Sequence, residues 1–196
     1  MIKIAIITGS TRPGRRGESV AHWVERLANE HTAEAKFELV DLADYGLPLL
    51  DEPVPALFGE YQHAHTLRWA EVIGAYDGFV FVTPEYNHGL PAALKNAIDY
   101  LYAEWHHKAA GFVSYGVQGG TRAVEQLRLV LAEVKVAGVQ PQVALSMFTD
   151  FTLTSPTDPG ECTPADHQTP ALHELLDEVI AWSRALEPLR RQHSQR

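Results

Sequence analysis

Five short apolar runs alternate with helical periodicities along this chain. The first, Ile2, Ile4, Ala5, Ile6 and Ile7, is nearly continuous. That is the pattern of a strand covered on both faces in a parallel sheet. Residues 37–42, 77–83, 109–115 and 139–147 predict four more strands. The last tolerates Pro141 only at an edge or a bulge. Residues 19–30 place Val20, Trp23, Val24 and Leu27 at helical spacing, behind Ser19 as a candidate N-cap. Residues 61–75 predict a helix with Leu67, Ala70, Val72 and Ile73 in the core. Residues 91–102 predict another, with Pro91 in its first turn, and residues 122–136 a third, ended by Gly138. Residues 170–189 predict a closing amphipathic helix. Residues 43–59, with Pro48, Pro53 and Pro55, read as a surface excursion or binding loop, and residues 148–169 as a polar loop.

Strand alternating with helix in this way predicts a parallel α/β sheet covered on both faces. Five strands favour either the order 2-1-3-4-5 or half of a Rossmann sheet. The 196 residues suit one domain, 1–196, with a sizeable core. A net charge of -9 argues against nucleic acid or an anionic membrane as partner. No run reaches membrane-span length, and Met1 leads straight into the first strand without a signal-peptide pattern. Cys162 is the only cysteine, which excludes an internal disulfide and fits a reducing cytoplasm.

The chemistry gathers in three loops that follow strands. After the first come Ser10, Thr11, Arg12, Gly14, Arg15, Arg16 and Gly17, then Ser19 at a helix start. Three arginines within five residues of an acidic chain, beside hydroxyls and a helix N-terminus, suit a phosphate. Gly9 and Gly14 have the Walker A spacing, but Arg15 and Arg16 stand where lysine and a hydroxyl residue belong. The glycines do not form G-x-G-x-x-G either. A monophosphate cradle of Ser10, Thr11, Arg12 and Ser19 remains. The second loop, Pro84-Glu85-Tyr86-Asn87-His88-Gly89, offers a flat aromatic surface and an amide beside a helix start, which suits a planar heterocycle. The third, Ser114-Tyr115-Gly116-Val117-Gln118-Gly119-Gly120, allows close backbone approach to a ligand. His63, His65, His106 and His107 come without metal-ligand order, so no metal is expected.

G-S-T-R after the first strand, P-E-Y-N-x-x-x-P after the third and S-Y-G-x-x-G-G after the fourth together resemble the NADPH-dependent FMN reductase family, over about residues 2–146. The resemblance implies a flavodoxin-like three-layer α/β sandwich with sheet order 2-1-3-4-5. It implies FMN as cofactor, with the phosphate at Ser10, Arg12 and Ser19, and with Thr11 and Arg16 close by. Pro84, Glu85, Tyr86 and Asn87 would line the isoalloxazine; Gly116, Gly119 and Gly120 would border its pyrimidine edge, with Ser114 and Tyr115 also among the cofactor-binding residues. Ala21 departs from family members that carry Asn there and removes one polar contact.

The implied activity is hydride transfer from NADPH or NADH to FMN, then to a quinone, another small acceptor or free flavin, in ping-pong order and without a catalytic protein nucleophile. A homodimer or homotetramer is implied as well. Three other readings compete: a flavodoxin-type electron carrier, an FMN-binding redox sensor without turnover, and a flavin-free NAD(P)-binding reductase with Asp41 on a ribose hydroxyl.

Overall fold

The computed structural model describes residues 1–155 and 157–193. Its elements run β1 (Ile2–Thr8), α1 (Gly17–His31), β2 (Ala35–Asp41), α2 (Ala64–Gly74), β3 (Gly78–Pro84), α3 (Ala92–Asp99), β4 (Ala109–Gly116), α4 (Thr121–Glu133) and β5 (Ala137–Ser146). A two-stranded hairpin, β6 (Phe151–Thr152) and β7 (Glu161–Cys162), then leads to α5 (Gln168–Ala185) and α6 (Glu187–His193). The five long strands form one parallel sheet in the order β2-β1-β3-β4-β5. That order removes the half-Rossmann alternative.

Alternate strand residues face two separate cores, which is why the central strands read as continuous apolar runs. Ile4 and Ile6 of β1, Val80 and Val82 of β3 and Val113 of β4 pack under α1 and α5. Ala5, Ile7, Phe79, Phe81 and Phe112 pack under α2, α3 and α4. Trp69 and Trp105 fill the second layer, their indole N–H groups donating to Ala97 O at 2.8 Å and Ile98 O at 3.1 Å. In α2 the expected core residue Leu67 is 53% exposed, and Trp69 with Ile73 takes the inward face. The larger indole claims the buried stripe, and the helix turns accordingly.

Helix limits also differ from expectation. Gly17 opens α1 two residues before Ser19, and the Ser19 hydroxyl donates back to Arg16 O at 3.0 Å instead of capping. A Cβ at Gly17 would sit 2.9 Å from the Tyr115 hydroxyl and 3.1 Å from the Thr8 methyl, so glycine lets the first turn press against β4. Lys135 (φ 57), not Gly138, carries the left-handed residue after α4. Gly138 lies inside β5, where a Cβ would meet the Phe112 ring and the Arg128 guanidinium at 3.0–3.1 Å. Pro141 sits where the β4–β5 register slips, on an edge strand.

Lys108, just before β4, is buried and donates from Nζ to Ile73 O at 2.7 Å. Burial, and after it the Arg190 guanidinium, pushes the amine down to about 7. A lysine depressed in the folded state binds its proton more readily when unfolded. Its contribution is therefore greatest above the unfolded value of 10.5 and is lost as pH falls toward 7. Lys108→Met removes the buried amine and one hydrogen bond. It is expected to raise stability at pH 7 by about 1 kcal/mol and to flatten the rise in stability between pH 7 and 10. Urea melts of both proteins across that range check it.

Candidate active site

The three loops meet outside the carboxyl ends of β1, β3 and β4. The first is anchored by Gly9, whose N–H donates to Val82 O at 2.8 Å and whose absent Cβ leaves room for Leu94. Next to it Ser10 is fully buried, its hydroxyl 3.2 Å from the Tyr86 hydroxyl. Tyr86 belongs to the second loop and is 39% exposed. Tyr86 and Gly89 exchange two backbone hydrogen bonds of 3.0 Å across Asn87 (φ 50) and His88 (φ 67). Both central residues are left-handed, as a tight two-residue hairpin turn requires. This turn lifts Tyr86 and Asn87 beside the first loop.

Glu85 ties the second loop to the third. Its N–H donates to Tyr115 O at 3.2 Å. Its carboxylate accepts from the Arg122 N–H at 3.1 Å and from Arg122 Nη2 at 2.7 Å. Glu85 therefore caps the N-terminus of α4. Arg122 Nη1 also reaches His88 Nε2 at 2.8 Å, and Gln126 holds His88 O at 2.9 Å. In the third loop the buried Ser114 hydroxyl donates to Gly119 O at 2.6 Å, and the Gly119 N–H donates to Gly116 O at 3.1 Å. Gly119 (φ 69) and Gly120 (φ 72) are left-handed, and a Cβ on Gly120 would stand 2.9 Å from Tyr115 O. Pro84 closes β3 and is buried. Buried Tyr115 packs its hydroxyl against Gly17, with its pKa raised first by burial and then by the charge of Tyr86.

Ser10, Pro84, Glu85, Tyr86, Asn87, Ser114, Tyr115, Gly116, Gly119 and Gly120 thus converge. The remaining first-loop residues are dispersed. Arg12 is exposed, with one long contact of 3.5 Å to Gly14 O. Thr11 lines a cavity of about 230 Å³ beside Leu47 and Asn96. Ser19 lines a different one of about 490 Å³, with Trp23 and Cys162. Arg16 Nη2 donates to Asp158 O at 2.9 Å, in the loop of the β6–β7 hairpin, while its Nε is buried without a partner. Arg15 pairs with Asp41 at 2.5 Å and Glu18 at 2.8 Å. Asp41 also accepts from the Ala43 N–H at 2.9 Å, so its carboxylate is committed to Arg15 and a 3₁₀ turn rather than open to a ribose. Ala21 is buried in the core under the sheet.

Arg122 and Asp158 were not expected at the site, whereas His88 lies in the second loop that the sequence singled out. Arg122 had one sequence signal, its place in the first turn of the helix after the glycine loop. Asp158 had none, because its partner Arg16 lies 142 residues away in the chain.

These residues fit a flavin monophosphate. The first loop offers a buried hydroxyl, an exposed guanidinium and the unpartnered Arg16 Nε, and the third offers a glycine turn ahead of a helix N-terminus. Among the described residues, no group of three or more His, Cys, Asp or Glu side chains could hold a metal ion, and no helix is long and apolar enough to cross a membrane.

Residues 2–150 match the NADPH-dependent FMN reductase profile. The chain is 42% identical over 153 residues to the NAD(P)H-dependent FMN reductase ntnL of Nectria sp, covering 76% of each. It is 44% identical over 146 residues to the NAD(P)H-dependent FMN reductase LOT6 of Saccharomyces cerevisiae, covering 69% of this chain and 76% of the relative. Among solved structures, the flavoenzyme NAD(P)H:(acceptor) oxidoreductase FerB of Paracoccus denitrificans superposes with a TM-score of 0.72 at 22% identity, over 94% of this chain and 98% of its own, a likeness of fold. The chain belongs to the NADPH-dependent FMN reductase family.

Proposed function

We propose that this protein binds FMN where the three loops meet and reduces it, and through it small acceptors such as quinones, with NADPH or NADH as donor. Bound FMN supplies the hydride relay between nicotinamide and acceptor. The observation that carries the reading is the backbone wall at Gly116–Gly120. It is closed to a Cβ at Gly120 and leads into the N-terminus of α4.

The protein's own part is to bind and orient. Ser10 and Arg12 hold the phosphate with Arg16 behind them, while Thr11 and Ser19 face other cavities. Pro84, Glu85, Tyr86 and Asn87 form one side of the ring site. Ser114 fixes Gly119 and so the shape of the third loop, whose following helix dipole favours negative charge on a bound ring. No side chain is needed as nucleophile. Leu49, Leu50, Leu57 and Phe58 are exposed on the segment between β2 and α2. They support assembly into a homodimer or homotetramer, which light scattering of the eluted protein would count.

An anaerobic visible spectrum with FMN, before and after NADPH, tests the reading. Bleaching, with recovery on adding a quinone, is the expected result. Binding without bleaching would leave an electron carrier or sensor, and absence of binding would refute the site.

The arginines separate binding from stability. Arg12→Ala is expected to weaken FMN binding about ten-fold with little change in unfolding, since it removes an exposed charge-assisted contact. Arg15→Ala leaves Asp41 without its partner and is expected to cost about 1–3 kcal/mol of stability. FMN titration and urea melts of both variants distinguish the two roles.

A further inference from the structure

A second site lies at the other end of the sheet. Asp77 precedes β3 and Lys108 precedes β4, so both stand at the amino ends of strands whose carboxyl ends carry the loops above. Seven residues of strand set the two ends about 20 Å apart. There a cavity of about 580 Å³ is lined by Tyr76, Asp77, Glu104, Lys108, Arg190 and Arg191, among others.

Lys108 is 5% exposed. Its amine donates to Ile73 O in the last turn of α2 and lies 5.5 Å from the Phe79 ring centroid. The carboxylates around it are engaged elsewhere. Asp77 accepts from Arg190 and from the Lys3 N–H, both at 2.9 Å. Glu104 accepts from the Tyr61 hydroxyl at 2.8 Å, and Glu187 pairs with Arg191 at 2.5 Å. Among the described residues, no carboxylate comes within ion-pair distance of Lys108. An amine buried without a counter-ion, beside a guanidinium, is held partly neutral at pH 7 and keeps a free lone pair; an exposed lysine is neutral about once in 2,500. The same arrangement activates lysine nucleophiles in enzymes.

We propose that Lys108 is a nucleophilic lysine and that this cavity is a site for small aldehydes, which form an imine on Nζ. The amine lone pair attacks the carbonyl carbon and forms the C–N bond. The carbonyl oxygen takes up two protons and leaves as water, giving the C=N bond with no change in oxidation state. Glu104 and His106 line the same cavity and supply groups for the proton transfers. The pairing of Arg190 with Asp77 and of Arg191 with Glu187 leaves the wall near neutral, which favours uncharged carbonyl compounds over anions. This site is independent of the FMN reading.

Reductive alkylation of the full-length protein tests it. Acetaldehyde at limiting concentration, with cyanoborohydride at pH 7, traps imines as ethyl-lysine, and peptide mass spectrometry reads Lys3, Lys36, Lys95, Lys108 and Lys135 separately. Lys108 is expected to react at least roughly ten-fold faster than exposed Lys3 and Lys36, with its advantage growing as pH falls from 9 to 7. Lys108→Arg keeps a cation at the end of α2 and is expected to abolish the fast phase. Reaction at Lys108 no faster than at Lys3, or only in urea, would show a structural cap on α2 and overturn the proposal. So would a fast phase that survives in Lys108→Arg.

Discussion

Gly120→Val is expected to destabilise the protein by about 2–4 kcal/mol and to weaken FMN binding by more than about 100-fold. Two costs combine. The residue sits at φ 72, a conformation strained for a β-branched side chain. Its first carbon would also stand 2.9 Å from both Ser114 Cβ and Tyr115 O, and 3.0 Å from Tyr115 N. These atoms belong to β4 in the middle of the core, so the loop has to move rather than the strand. The movement pulls Gly119 O from the Ser114 hydroxyl and shifts the loop that borders the proposed ring site. Urea melts measure the first effect, and quenching of FMN fluorescence in dilute buffer, where the variant is still folded, measures the second. A variant that keeps wild-type affinity would mean that the third loop does not border the flavin.

The sheet was legible because its physics is local to each strand. β1, β3 and β4 are covered on both faces, and each therefore announces itself as an apolar run whatever its neighbours are. Ser10, Tyr86 and Gly120 were legible as loop residues for the same reason, since each lies within four residues of the end of such a run. What was not legible depends on partners distant in sequence. Arg12, Arg15 and Arg16 look alike in the chain, yet one is open, one is paired with Asp41 and one holds Asp158 O. Ser19 has the right chemistry for a helix cap. The fit of Gly17 under Tyr115 decided where α1 begins. Leu67 and Trp69 both satisfy a helical stripe, and side-chain volume chose between them. The β6–β7 hairpin pairs only two residues on each side, too few for any alternation to show.

The placement of Asp158 changes what the first loop is. A cluster of three arginines suggested an open anion trap. The structure shows a loop held on both flanks, by Asp41 from β2 and by the hairpin backbone, with Arg12 as its exposed cation. Asp158 itself is fixed by the Thr154 hydroxyl and by the N–H groups of Gly160 and Thr154, which hold its carboxyl below the ordinary range. The loop is therefore preorganised before any ligand arrives, which lowers the ordering cost of binding.

Glu85→Ala is the second large effect, and it separates positioning from chemistry. The Glu85 carboxylate is almost wholly buried and holds both the N–H and the guanidinium of Arg122. Truncation removes the cap of α4 and releases Arg122, which also steadies His88 in the neighbouring hairpin turn. Loss of the cap and of a half-exposed ion pair is expected to cost about 1–3 kcal/mol. Because Glu85 joins the second loop to the third, both sides of the ring site loosen together, and FMN affinity is expected to fall about ten-fold. Glu85→Gln keeps an oxygen acceptor for the Arg122 N–H, so it should recover most of the stability and most of the affinity. If Glu85 instead donated a proton during turnover, Glu85→Gln would bind FMN normally and lose kcat, with a changed pH profile. Stopped-flow reduction of saturated Glu85→Gln by NADPH decides the matter: a rate within about two-fold of wild type identifies a positioning residue, and a large fall at unchanged affinity would make Glu85 a catalytic acid.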